Sequence, residues 1–197
     1  IAPKNNIVDF EEVKAGFYPA LPRIPQYLMG QIIAFFRSFM SETDEAEALV
    51  QIYWDRCDKK FTVFVPRQKA SKAYLEADVQ DGAPDEERYL CYCDCHSHNS
   101  MEAHFSCVDD RDERATRLYL VIGRLNRFYP SVSARVSCGG RFLEIDPAIV
   151  LEPVDEIFPD EWTQQVSLAT VACPPTRNCD RYQWKASLPA MKGRCRL

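Results

Sequence analysis

From Leu49 onward the chain is cut into short β-branched and aromatic runs, and this segmentation limits the fold more than any other feature. Leu49 to Trp54 and Phe61 to Val65 flank the polar stretch Asp55-Arg56-Cys57-Asp58-Lys59-Lys60, which reads as a hairpin. Ala73 to Val79 is a weaker strand signal, and Gln80 to Glu87, with Gly82, Pro84 and its acids, reads as a loop. Arg88 to Ser97 alternates in the manner of a strand, and Leu118 to Ile122 is an unbroken apolar run suited to a buried one. Ser131 to Ser137 and Arg141 to Ile145 face each other across Cys138-Gly139-Gly140, a second hairpin. Helical period is confined to two places before residue 147. Leu28, Ile32, Phe35, Phe36 and Phe39 recur at spacings of three and four, with Pro25 suited to the first turn, where its missing N–H costs nothing. Ser106 opens a short helix through the charged stretch Asp109–Arg117. One helix, then mainly antiparallel strands with a second helix packed among them, predicts an α+β fold.

Residues 1–23, with Pro3, Pro19 and Pro22 and no sustained period, are expected to form an N-terminal arm. Residues 24–150 hold the folded domain, and 151–197 a Pro-rich C-terminal extension in which only Glu161 to Ala169 looks helical. The 197 residues are 46% hydrophobic and 27% charged, proportions that allow a real core. The 24 basic against 29 acidic side chains give a net charge of −5 without a basic block, which argues against nucleic acid as partner. No apolar run approaches the roughly 18 residues of a membrane helix, since Ile32–Phe39 is broken by Arg37. No secretory signal is visible, and an opening at Ile1 rather than methionine suggests a missing or processed start. Nine cysteines, an odd number, are not spaced like a small disulfide scaffold, so free thiols in a reducing cytoplasm are expected. Cys173, Cys179 and Cys195 fall in the extension, where three irregularly spaced thiols make a poor metal signature.

All three histidines, His96, His98 and His104, lie within nine residues. His96 and His98 are two apart at the end of a strand, so their imidazoles project from one face. Neutral imidazole is the commonest metal ligand, and a third ligand is at hand in Asp109 or Asp110, at the start of the next helix. Cys91, Cys93 and Cys95 alternate with the histidines, which places the three thiols together on the opposite face. That geometry disfavours thiolate ligation and also a cysteine nucleophile, and packing as small apolar residues is the expectation.

The segment reads His96-x-His98, seven residues, then Ser106-x-x-Asp109. It resembles the signature of the JAMM metalloproteases, also called the MPN or JAB family, at every ligand position. Its flavour is similar to bacterial members encoded beside ubiquitin-activation-like genes, such as the PRTRC system protein A group. The resemblance implies an MPN/JAB-like mixed sheet over roughly residues 25–146. It also implies one catalytic zinc held by His96, His98 and Asp109, with the fourth position left open. By the same resemblance a glutamate upstream serves as general base, and Glu47, directly before the apolar Ala48-Leu49-Val50-Gln51-Ile52, stands in its place. Glu45 is a rival two positions earlier, and both acids could equally be solvated members of the Glu42–Glu47 loop. Ser106 would hydrogen-bond the oxyanion, or cap the helix that it opens, or both. His104 has no ligand position and is expected to be a loop residue or a substrate contact. Many family members carry proline after the second histidine; Asn99 stands there in this chain and is expected to leave the loop less rigid.

The activity so implied is that of a zinc-dependent isopeptidase or peptidase in the cytoplasm. Its partners would be a ubiquitin-like protein or its conjugates and E1- or E2-like proteins, not nucleic acid or membrane. Two alternatives stand beside it. One is a non-catalytic MPN-type scaffold, although scaffold members usually lose ligands that this chain keeps. The other is a hydrolase like the RadC branch, whose His-Asn-His-Pro-Ser-Gly segment His96-Ser97-His98-Asn99 does not match.

Overall fold

Helix α1 runs over Gln26–Arg37 in the computed structural model, which describes residues 16–153 except 42 and 73, together with 159 and 161–166. Pro25 is its N-cap rather than a first-turn residue: with ψ at 141° it is extended, and its carbonyl accepts the N–H groups of Leu28 and Met29. Leu28, Ile32 and Phe36 of the expected stripe are buried, joined by Met29, while Phe39 lies beyond the helix end and is exposed. Each such side chain, fully removed from water, contributes roughly 1.5–3 kcal/mol.

The strands are β1 (Leu49–Asp55), β2 (Lys60–Phe64), β3 (Arg67–Ser71), β4 (Tyr74–Asp78), β5 (Tyr89–Ser97), β6 (Arg117–Gly123), β7 (Ser131–Cys138) and β8 (Arg141–Ile145). Six of them form one mixed sheet in the order β2-β1-β5-β6-β7-β8, and β3 pairs with β4 in a separate hairpin. The architecture is α+β. Only β5 and β6 run parallel, so the chain must cross back over the sheet between them. The crossover, residues 98–116, carries α2 (Asp109–Asp112). The residues of α1 pack on Val50, Ile52, Cys93, Cys95, Leu118, Leu120, Ile122 and Ala134, which form the core. Val150 and Leu151 close the fold by bridging back to Ile24, and Glu152 accepts the Gln26 N–H at the start of α1 (3.0 Å).

Several elements differ from the sequence expectation. The second helix is a single turn, because Glu113 leaves it to pair with Arg135 and β6 begins at Arg117. Strand β3, Arg-Gln-Lys-Ala-Ser, has no apolar alternation to announce it and exists through pairing with β4. A β-bulge at Tyr92 separates the three thiols expected on one face: Ile52 pairs with Cys93 but Tyr53 with Cys91. Cys93 and Cys95 are core residues, whereas Cys91 turns to the opposite face, with Asp94 (3.7 Å) and Arg117 (2.8 Å). The glycine turn is as expected, since Gly139 and Gly140 both have positive φ (60° and 79°) between the paired Cys138 and Arg141.

The chain divides into two units, Ile1–Asp155 and Glu156–Leu197. In the second, the described helix is one turn, α3 (Glu161–Gln164). The expected arm up to residue 15, the tail cysteines and most of the extension lie outside the described residues. The six cysteines that are described are all free thiols. No helix among the described residues is long and apolar enough to cross a membrane.

Candidate metal centre

The end of β5 delivers His96 and, one residue past the strand, His98 follows; both are buried. The backbone there is held on both sides. Ser97 bonds Ala48 through its N–H and its hydroxyl (2.9 Å each), and the His98 N–H donates to the Ile122 carbonyl (2.8 Å). The crossover then folds back so that Asp109, in the first turn of α2, meets the two rings. One donor atom from each of His96, His98 and Asp109 falls within 4.8 Å of the others.

The ring nitrogens can be assigned from their partners. His98 Nδ1 lies 3.3 Å from the Glu102 carbonyl, which can only accept, so Nδ1 carries the hydrogen and Nε2 a lone pair. His96 Nδ1 faces the Glu113 carboxyl at 3.6 Å, just outside hydrogen-bond distance. The two Nε2 atoms stand 3.2 Å apart, and with Nδ1–H on both rings this contact is repulsive unless a proton or a cation lies between them. Burial depresses both imidazole pKa values, that of His96 to about 4, so a proton is disfavoured. Asp109 Oδ1 is 3.5 Å from His96 Nε2. Ligands about 2.0–2.1 Å from a tetrahedral ion stand roughly 3.3–3.4 Å apart, so the distances from His96 to its two neighbours are close to ligand spacing, and the three groups could hold a metal ion.

Ser106 and Asp109 bond each other reciprocally just ahead of α2, whose N-cap is Val108 rather than the Ser106 expected from the sequence. The Ser106 hydroxyl accepts the N–H groups of Val108 (3.2 Å) and Asp109 (3.3 Å), and Asp109 Oδ2 accepts the Ser106 N–H (2.6 Å). Burial pushes the Asp109 carboxyl up, but the His96 ring and the Ser106 bonds outweigh it and hold the pKa below its ordinary value. The hydroxyl of Ser106 keeps its own hydrogen for a further acceptor.

The two candidate bases are in different settings. Glu45 is occupied: it accepts from the Ser100 hydroxyl (2.9 Å) and N–H (3.1 Å) and pairs with Lys72 (2.8 Å), which lowers its pKa. Glu47 is half-buried, and its pKa is pushed up to about 7, first by burial and then by the negative charges of Asp109 and Glu45. Among the described residues no cation pairs with it, and the charge of Asp109 reaches it. The Glu47 backbone N–H donates to the Ser71 carbonyl (3.0 Å), and a second tie comes from Asn99. The residue is fully buried, with φ at 49°, and its amide, oriented to satisfy both groups, donates to the Ala46 carbonyl (3.0 Å) and accepts the Glu47 N–H (3.3 Å). The expected loosening of the loop by Asn99 is thus replaced by a tether.

His104 is exposed and packs edge-on against His98, with centroids 5.1 Å apart; its Nδ1 approaches the same Glu102 carbonyl (3.1 Å). Cys95 is buried, and its thiol pKa is raised by that burial, which removes it as a nucleophile. Sequence reasoning missed the supporting layer of the Glu102 carbonyl, Glu113 and Arg135. Of these only Glu113 left a signal, since it stands four residues after Asp109, on the same side of a helical turn.

No family model matches the sequence, and no curated protein is similar enough to count as a match.

Proposed function

We propose that this protein is a zinc-dependent peptidase or isopeptidase of JAMM type, acting on a ubiquitin-like protein or its conjugates in a reducing, cytoplasmic compartment. The observation that carries the reading is the meeting of the His96 and His98 Nε2 atoms (3.2 Å) with the Asp109 carboxylate (3.5 Å from His96), all within 4.8 Å of one another. The resemblance of His96-x-His98, Ser106 and Asp109 to the JAMM signature supplies the substrate class, and the free thiols agree with the compartment.

His96, His98 and Asp109 would hold the ion. Bound zinc supplies Lewis acidity and lowers the pKa of water towards about 7. The Glu47 carboxylate takes a proton from the attacking water and returns it to the leaving amine, a role suited to a carboxylate that pairs with no cation among the described residues. The Ser106 hydroxyl, already accepting two N–H groups, donates its hydrogen to the oxygen that gains charge on the scissile carbonyl. His104, exposed against His98, contacts the incoming chain.

The test is zinc content and cleavage of a ubiquitin-like fusion, measured together. The parent should carry about one zinc per chain and cleave; His98→Ala should lose both zinc and cleavage and keep its fold. A parent that neither holds nor takes up zinc overturns the reading. A parent that holds zinc and binds the ubiquitin-like protein tightly without cleaving it is a scaffold instead.

A further inference from the structure

The turn that supplies Asp109 to the triad also grips His96 from its other side. Asp109 Oδ1 stands 3.5 Å from His96 Nε2, and Glu113 Oε1, four residues later, stands 3.6 Å from Nδ1 of the same ring. Glu113 is buried and is itself anchored: its Oε2 accepts from both Nε (2.9 Å) and Nη2 (2.7 Å) of Arg135. Arg135 is buried in turn, its guanidinium lying between the Phe105 and Phe142 rings (4.0 and 3.8 Å to the centroids), and its third bond goes to Asp110 (2.5 Å). One arginine on β7 therefore clips the whole α2 turn to the sheet. It leaves one glutamate oxygen free to face the imidazole.

We propose that Glu113, held by Arg135, is a positioning residue for the metal centre: its Oε1 accepts the Nδ1–H of His96 and so presents Nε2 to the ion. This rests on the metal-centre reading above. A buried arginine fork sandwiched by two aromatic rings is a costly device for surface charge balance, and its geometry serves one ring orientation. A cation on Nε2 strengthens the Nδ1–H as a donor, so ligand and carboxylate reinforce each other as the ion binds.

Zinc alone is the probe, titrated against a chelating indicator, with near-ultraviolet circular dichroism to establish the fold. Glu113→Met, equal in length but without an acceptor, should weaken zinc binding about 10- to 100-fold. Glu113→Gln, whose amide oxygen can still accept, should recover most of that loss. Asp112→Ala, which removes an exposed acid from the same turn, should bind as the parent does. If Glu113→Met fails to fold because Arg135 is stranded, the double variant Glu113→Met/Arg135→Met removes the stranded charge and takes its place. A folded variant lacking the acceptor that binds zinc like the parent overturns the proposal, as does an equal loss in Asp112→Ala. Imidazole nitrogen NMR of the metal-free parent gives a reading that needs no variant: the Nδ1–H tautomer of His96 is expected, and Nε2–H overturns the proposal. Failure of the parent to bind zinc at all overturns the metal-centre reading, and this inference with it.

Discussion

At Asn99 the backbone sits at φ 49°, where proline, with φ held near about −65°, cannot follow. The chain therefore spends at this position a buried amide that ties the loop after His98 to the backbone of Glu47. Asn99→Pro should destabilise the fold by roughly 2–5 kcal/mol, from backbone strain plus the stranded Ala46 carbonyl, read as a lower urea midpoint. A parental midpoint would remove the tether from the account. At Glu47 the expected result is a separation of metal from turnover. Glu47→Gln should keep parental zinc and lose on the order of 10²–10⁴ in rate, because an amide does not accept the proton. Glu45→Gln should cleave nearly as the parent does, since Glu45 is already committed to Ser100 and Lys72. Reversal of the two variants would move the base to Glu45.

Among the elements, the end of β6 sets how closely the crossover can lie on the sheet. A Cβ on Gly123 would stand 2.3 Å from the Ala103 nitrogen and 2.4 Å from the Met101 carbonyl oxygen, both backbone atoms. Gly123→Ala must push that loop outward and carry the Glu102 carbonyl away from His98 and His104. A stability loss of about 1–3 kcal/mol is expected, together with weaker zinc binding; unchanged zinc affinity would show that the carbonyl does not orient His98. The same scale shows what the sequence made legible. Helix α1 and strands β1, β2, β5 and β6 could be read because each buries a face, and the burial imposes a period. Strand β3 could not, because a mostly exposed Arg-Gln-Lys-Ala-Ser buries almost nothing. Nor could the bulge at Tyr92, which depends on how β1 accommodates β5 and swings Cys91 to the other face. The triad was legible because its ligands sit in one short contiguous segment. Arg135 was not, being a strand residue whose use is defined by elements brought to it from elsewhere.

For the whole molecule, a ligand that binds only the folded chain stabilises it by mass action. Zinc at 100 times its dissociation constant should add about 2.7 kcal/mol and raise the melting temperature, with no change in His98→Ala. A shift of equal size in that variant would mean that zinc acts elsewhere. Acid should act at the β1–β2 end, where the Arg88 guanidinium holds the buried Asp55 carboxyl well below its usual range. The folded state keeps this group charged to lower pH than the unfolded chain does. Its contribution is therefore complete above about pH 4 and is lost as the pH falls through the folded-state value. The urea midpoint of the parent should drop below that pH, and that of Asp55→Asn should drop less. The parallel pairing of β5 with β6 has a further consequence, for the order of events in folding. The β1–β2, β3–β4 and β7–β8 hairpins can each close locally, but residues 98–116 must be laid across the sheet before β6 can register beside β5. His98, Asp109 and Glu113 all belong to that stretch, so an ion meets its full set of ligands only after the stretch is in place. Its effect should fall on escape from the native state: zinc should slow unfolding and leave the folding rate nearly unchanged.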